Sequence, residues 1–180
     1  MPTETLLALV CPEFALADYE QIQLWRREHD AEQADQLLPH ITLVGPVRGW
    51  SPGEFAREVE ARLLGIKPFE IMLDHAVSHR DDGSGEVMEW LVPGPGREAL
   101  VALQDRLYSG TLAAERPAGP APVPHITIGR DSDAAASQAR MRELNKAELC
   151  IRCLASAVQI VRRKGEGVKL VERVPLGRER

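Results

Sequence analysis

Pro39-His40-Ile41-Thr42-Leu43 returns 85 positions later as Pro124-His125-Ile126-Thr127-Ile128, in a chain of 180 residues. Each copy reads as the start of a β-strand, because Ile, Thr and Leu suit strands and Pro is tolerated at a strand's first position or edge. Side chains alternate between the two faces of a strand. His40 and Thr42 therefore share one face, followed by Val44, while Ile41 and Leu43 share the other. The second copy sets His125 and Thr127 against Ile126 and Ile128 in the same way. An apolar back and a His/Thr front suit a strand whose back is core and whose front is a site.

The chemistry of such a front is specific. Residues i and i+2 of a strand lie about 6.6–7 Å apart, so an imidazole and a hydroxyl can address neighbouring oxygens of one tetrahedral anion. Two facing pairs supply one imidazole to accept a proton, one to donate it, and two hydroxyls for the non-bridging oxygens. That is equipment for phosphodiester chemistry by general acid–base catalysis without a metal. A lone His-x-Thr is most often an ordinary strand histidine; the doubled motif carries the reading.

The surroundings of the two motifs match as well. Thr5 to Val10 reads as a strand, and Ala15 to Glu28 as a helix with Leu16, Ile22 and Trp25 inward. Ser51-Pro52-Gly53-Glu54 opens a helix with a capping box; Phe55, Val59 and Leu63 form its stripe and Gly65 closes it. Lys67 to His79 reads as a strand, residues 81–85 as a turn, and Glu86 to Val92 as a second strand. A helix over Gly96 to Tyr108 with Leu100, Leu103 and Leu107 inward follows, then an extended Pro-rich lead-in over residues 116–124. Asp131-Ser132-Asp133 caps a helix to about Asn145, Glu148 to Arg162 reads as mostly strand, and Gly165-Glu166-Gly167 turns it into Val168 to Val174. The order strand, helix, motif strand, capped helix, strand thus occurs twice, over about residues 5–79 and 86–162. It points to a tandem duplication whose pseudo-twofold brings one histidine from each half to a central cleft.

With these residues in view, the chain resembles the two-histidine (2H) phosphoesterase superfamily, in particular its 2′-5′ RNA ligase-like members. The resemblance rests on two His-x-Thr motifs flanked by apolar residues and on the order of elements around them. It implies an α+β, bilobal fold of one domain over residues 1–180. Its lobe-forming halves would be about 1–80 and 86–180, with two antiparallel-rich sheets flanked by helices around the cleft. It implies a 2′,3′-cyclic phosphodiesterase acting on RNA ends or small nucleotides, with 2′-5′ ligation as the reverse reaction. His40 would be the acid and His125 the base, with Thr42 and Thr127 on the phosphate, although the pseudo-symmetry alone leaves the two histidines exchangeable. The family often carries an aromatic after the last hairpin turn; here that stretch is Val168-Lys169-Leu170, which removes a base-stacking group from that place.

Composition narrows the partners. At 44% apolar residues the chain can bury a core, while 4% aromatics leave few platforms for a long nucleic-acid track. A formal charge of −5 argues against an extended duplex footprint and favours a nucleotide or a single RNA terminus. Met1-Pro2-Thr3-Glu4 lacks a basic leader, no apolar run approaches a membrane span, and three cysteines make no disulfide framework. The expectation is a cytoplasmic monomer without cofactor or metal. A binding module for nucleotides or RNA ends, without catalysis, is the competing class.

The remaining chemistry-bearing residues read more blandly. Arg130, closing the second motif strand, is the candidate phosphate ligand; Arg48 and Arg162-Arg163-Lys164 are weaker ones. His75 and His79 share a strand face with Ile71, Leu73 and Val77 by alternation and read as strand-end groups without chemistry. As a zinc pair they are excluded, because i and i+4 on a strand span about 13 Å. Cys150 and Cys153, three apart on a strand, face opposite sides and make no redox pair.

Overall fold

The computed structural model describes residues 4–165 and 167–179. Among these residues the strands are β1 (Glu4–Val10), β2 (Glu13–Phe14), β3 (Ile41–Val47), β4 (Phe69–Arg80), β5 (Val87–Pro93), β6 (Ile126–Asp131), β7 (Ile151–Ala155), β8 (Ala157–Lys164) and β9 (Gly167–Pro175). The α-helices between them are α1 (Leu16–His29), α2 (Ala31–Gln36), α3 (Pro52–Leu63), α4 (Arg97–Leu107) and α5 (Ala134–Lys146). Residues 1–3, part of the stretch read as lacking a basic leader, and the turn residue Glu166 lie outside the described residues.

All of these strands join one antiparallel sheet in the order β2-β7-β4-β5-β6-β3-β1-β8-β9. The expectation of two sheets is thereby corrected. The seam between the wings is β3 on β6, and it is short: Ile41 opposite Ile126 is the register pair there. The far ends of the sheet are not independent either. β7 pairs with β4 and β2, β8 pairs with β1 and β9, and only Ser156 separates β7 from β8 in the chain. The expected strand over Glu148 to Arg162 is therefore bent at Ser156, with its two arms at opposite ends of the strand order. To make that connection the sheet has to curl.

Helices cover one face. α1 lies on β6, α4 on β3, and α5 across β4, β5 and β6. Ile41, Leu43, Ile126 and Ile128 from the seam pack there with Ile22, Phe55, Leu100, Leu103 and Met141 in the main core. Burying such side chains is worth about 1.5–3 kcal/mol each. Local signals set the helix ends as read: Ser51 and Glu54 complete the capping box of α3, and Asp133 accepts from the amides of Ala135 and Ala136 at the start of α5. The inward stripe of α1 differs from expectation. Leu16 is 72% exposed, and the helix buries Ile22 together with Gln23 and Arg26.

Two irregularities break strict alternation near the site. Between the pairs Ala8–Val44 and Leu9–Thr42 the β1–β3 register shifts, and Val44 joins the main core instead of sharing the His40/Thr42 face. Gly45 follows at φ +137°, so close to β1 that a Cβ there would meet the Leu7 side chain at 2.8 Å. In β4 the register shifts between Leu73 and His75. Such a bulge switches the face of everything beyond it: Ile71 and Leu73 are core, while His75 and His79 are exposed rather than following them inward.

Candidate functional site

The seam builds the site. With Ile41 opposite Ile126 in antiparallel register, the next positions outward set His40 beside Thr127 and Thr42 beside His125. All four then stand on the face opposite the core isoleucines, as alternation requires. Diagonal positions of such a square are about 7–8 Å apart, a separation one phosphate can bridge.

Each histidine is oriented by the same local device. Nδ1 of His40 lies 2.8 Å from the Leu38 carbonyl oxygen, and Nδ1 of His125 lies 2.7 Å from that of Val123. In each case the carbonyl two residues upstream accepts, so Nδ1 carries the proton and Nε2 is left for chemistry. The prolines at 39 and 124 keep the lead-in extended, which puts that carbonyl within reach.

The neighbourhoods of the two histidines differ. His40, Thr42 and Thr127 line a cavity of about 150 Å³ together with Arg26, Arg130 and Arg163. Arg26 is 2% exposed and donates to Gln23 Oε1 at 2.6 Å and to the carbonyls of Gln33 and Leu37 at 3.0 and 2.8 Å. It thereby ties down the segment leading into the first motif and places a fixed positive charge at the cavity. Burial pushes the His40 imidazole down to about 4, aided by Arg26, His125 and Arg163, against the Leu38 hydrogen bond. Burial also lowers His125, as does the charge of His79. Both imidazoles are therefore neutral in the resting protein near pH 7.

Arg130, the arginine expected on the phosphate, does line the cavity, but its guanidinium is shared with Asp30 at 3.3 Å and Glu86 at 3.6 Å. Arg163 lines the same cavity and makes no ion pair among the described residues. Of the basic run in the last hairpin, it is Arg163 that reaches the site; Arg162 turns to Glu4 at 3.9 Å. His75 and His79 stand outside the cavity.

Sequence reasoning missed Arg26 and Trp90. Arg26 was detectable as a charged residue one turn from Ile22 on an inward stripe. Trp90 is the register partner of Thr127 across β5 and β6. Its indole stacks on His125 with centroids 3.7 Å apart and planes 12° off parallel, and on His79 at 4.0 Å and 17°. Two parallel rings at that distance must occupy opposite faces of the indole. Among the described residues no group of three or more His, Cys, Asp or Glu is arranged to hold a metal ion. Cys11, Cys150 and Cys153 are free thiols.

A curled antiparallel sheet with a His-x-Thr strand on each side of its seam defines the two-histidine phosphoesterase class. Within that class the chain belongs to the 2′-5′ RNA ligase superfamily, whose sequence profile matches residues 12–167. Among solved structures, Escherichia coli LigT complexed with 3′-AMP is similar at TM-score 0.65 and 19% identity, covering 99% of this chain and 100% of that one. LigT in apo form is similar at TM-score 0.61 and 20% identity, covering 98% of each chain. Usb1 of Kluyveromyces marxianus is similar at TM-score 0.54 and 13% identity, with 97% and 99% covered. At these identities the likeness is one of fold. No curated protein sequence matches the chain.

Proposed function

We propose that the protein is a metal-independent 2′,3′-cyclic phosphodiesterase acting on RNA ends or small nucleotides, with 2′-5′ ligation following when a 5′-hydroxyl, in place of water, opens the cyclic phosphate. The observation that carries this reading is the Ile41–Ile126 register, which gathers two imidazoles and two hydroxyls on one face of the seam. Solved relatives hold 3′-AMP, NADP+, ATP and uridine monophosphate, which supports a nucleotide as the ligand here.

In the direction that opens a cyclic phosphate, a water oxygen attacks phosphorus while neutral His125 takes the water's proton through Nε2. The bond from phosphorus to the leaving ribose oxygen breaks, and protonated His40 gives that oxygen its proton. Thr42 and Thr127 donate to the non-bridging oxygens, where charge develops, and Arg163 and Arg130 balance it. His40 is neutral in the resting protein, so its proton arrives with the substrate. A phosphate anion in the cavity offsets Arg26 and Arg163 and raises the imidazole's proton affinity. Exchanging the two roles gives the same chemistry in mirror image.

The same reading takes residues 1–180 as one domain made by tandem duplication, with halves about 1–80 and 86–180 that exchange their third strands. It takes the protein as a cytoplasmic monomer, in keeping with its free thiols. No helix among the described residues is long and apolar enough to cross a membrane.

The deciding experiment incubates purified protein, with EDTA, with 2′,3′-cyclic nucleotides, RNA ending in a cyclic phosphate, and 2′-5′-linked oligonucleotides. Opening of a cyclic phosphate unaffected by EDTA is expected. A rate abolished by EDTA and restored by a divalent ion would mark a metallohydrolase. Nucleotide binding through the cleft without turnover would mark a binding module.

A further inference from the structure

The cavity around His40 and the threonines, at about 150 Å³, has room for a phosphate but is well below the 300–1,000 Å³ of pockets that enclose larger ligands. A second pocket, of about 510 Å³, opens on the other side of the seam. Val123 lines it, and the Val123 carbonyl is what orients His125. Trp90 and His79 line it as well, so the stacked column His125–Trp90–His79 runs from the seam into this pocket.

Both faces of the Trp90 indole are taken within the column, whereas His79 is exposed and has one ring face left. The Trp90 Nε1–H is buried and finds no acceptor among the described residues. Asp74 and Arg97 also line the pocket, one accepting and one donating, an opposed pair suited to the polar edge of a neutral heterocycle rather than to a second phosphate. Across the seam the arginines gather at the His40 side. An excess of cations on one side, and aromatic rings with a charge-balanced Asp74 and Arg97 on the other, reproduce the division of a nucleotide into phosphate and base.

We propose that this pocket is the nucleoside subsite, with the outer face of His79 as the stacking platform for an unpaired base. It serves the place that the aliphatic Val168-Lys169-Leu170 stretch of the last hairpin cannot serve. The inference rests on the reading of the seam as a phosphate site, and it names what the phosphate is attached to.

The test compares substrates with and without a base, using the full chain and its His79→Ala and His79→Phe variants. Turnover is measured on a 2′,3′-cyclic nucleotide and on glycerol 1,2-cyclic phosphate; binding is measured by calorimetry with a nucleoside 2′-monophosphate and with inorganic phosphate. His79→Ala is expected to raise KM for the cyclic nucleotide and to weaken nucleoside monophosphate binding by about 5- to 150-fold, the worth of one base–aromatic stack. The base-free substrate and inorganic phosphate should change by less than about twofold on the same argument. His79→Phe should restore the nucleotide values. An equal loss on base-free and nucleotide substrates would overturn the subsite and make His79 a support for His125 alone. No change on either would overturn it too. If wild-type protein opens no cyclic phosphate yet binds nucleotides in a His79-dependent way, the catalytic reading fails and the subsite stands. If it opens cyclic phosphates equally well with and without a base, the catalytic reading stands and the subsite fails.

Discussion

His40 and His125 begin from the same five-residue pattern and the same backbone clamp, and the fold then treats them differently. His40 sits in a small polar cavity beside the buried Arg26 and beside Arg163, where its imidazole is held near 4. His125 has one ring face against Trp90 and a large pocket next to it. A repeated motif can thus supply two equivalent groups, while the residues that distinguish them come from elsewhere in the chain: α1, β5 and β8. Pseudo-symmetry of the sequence does not carry over to the electrostatics of the site.

The strongest way to break this comparison is to remove each imidazole. His40→Ala and His125→Ala should each lower turnover on a cyclic phosphate by about 10²–10⁴-fold, and the double variant should lose far less than the product, because the pair acts as a unit. Full turnover in either single variant would end the catalytic assignment. Thr42→Ala and Thr127→Ala should cost about 10–10³-fold in kcat, as the loss of one donor to developing charge does; steady-state kinetics on the same substrate reads this.

A finer contrast lies between the two arginines. Arg163→Ala should raise KM by about 10–100-fold, the value of a charge-assisted hydrogen bond to phosphate. Arg130→Ala should raise it less, because that guanidinium already serves Asp30 and Glu86. The reverse order would show that the carboxylates release Arg130 when phosphate binds.

The acid–base comparison is sharpened by pH. Both imidazoles are lowered in the free protein, and the active form needs one of the two protonated. The bell of kcat/KM should therefore centre below the ordinary histidine value of about 6.5, while the kcat bell, reporting the phosphate-bound state, should lie higher. A kcat/KM maximum above pH 7 would contradict the depressed values.

The smallest effect is on stability. An imidazole held near 4 when folded and near 6.5 when unfolded takes up its proton only on unfolding between those values. Stability should fall as pH drops from about 6.5 to about 4, with a ceiling of about 3–4 kcal/mol for His40. Denaturant midpoints at pH 7.5 and 4.5, compared between wild type and His40→Gln, isolate that share.

The elements carrying the motif faces, the capped helices α3 and α5 and the leucine stripe of α4 were legible because each depends on neighbours within a few residues. The inward side of α1 was not. Burying Arg26 instead of Leu16 makes sense only once the carbonyls of Gln33 and Leu37 are in place to accept from it. The faces of Val44, His75 and His79 were lost to register shifts, which depend on the partner strand and leave no mark in periodicity. Trp90 was hidden for a related reason: its meaning comes from facing Thr127 across β5 and β6. The single sheet in place of two follows from Ser156, where a long apolar run bends without a glycine or proline to announce it.

That bend also bears on how the chain can be divided. The exposed turn over residues 81–85 looks like a natural cut between two halves. A piece ending there, however, would leave β4 without β5 and β7, and the remainder would leave β8 without β1. Each fragment would present unpaired strand edges, a template for aggregation. Mixed together, the two pieces hold every pairing the sheet needs. The protein is thus a candidate for a split reporter, inert as separate halves and active only where both are brought together.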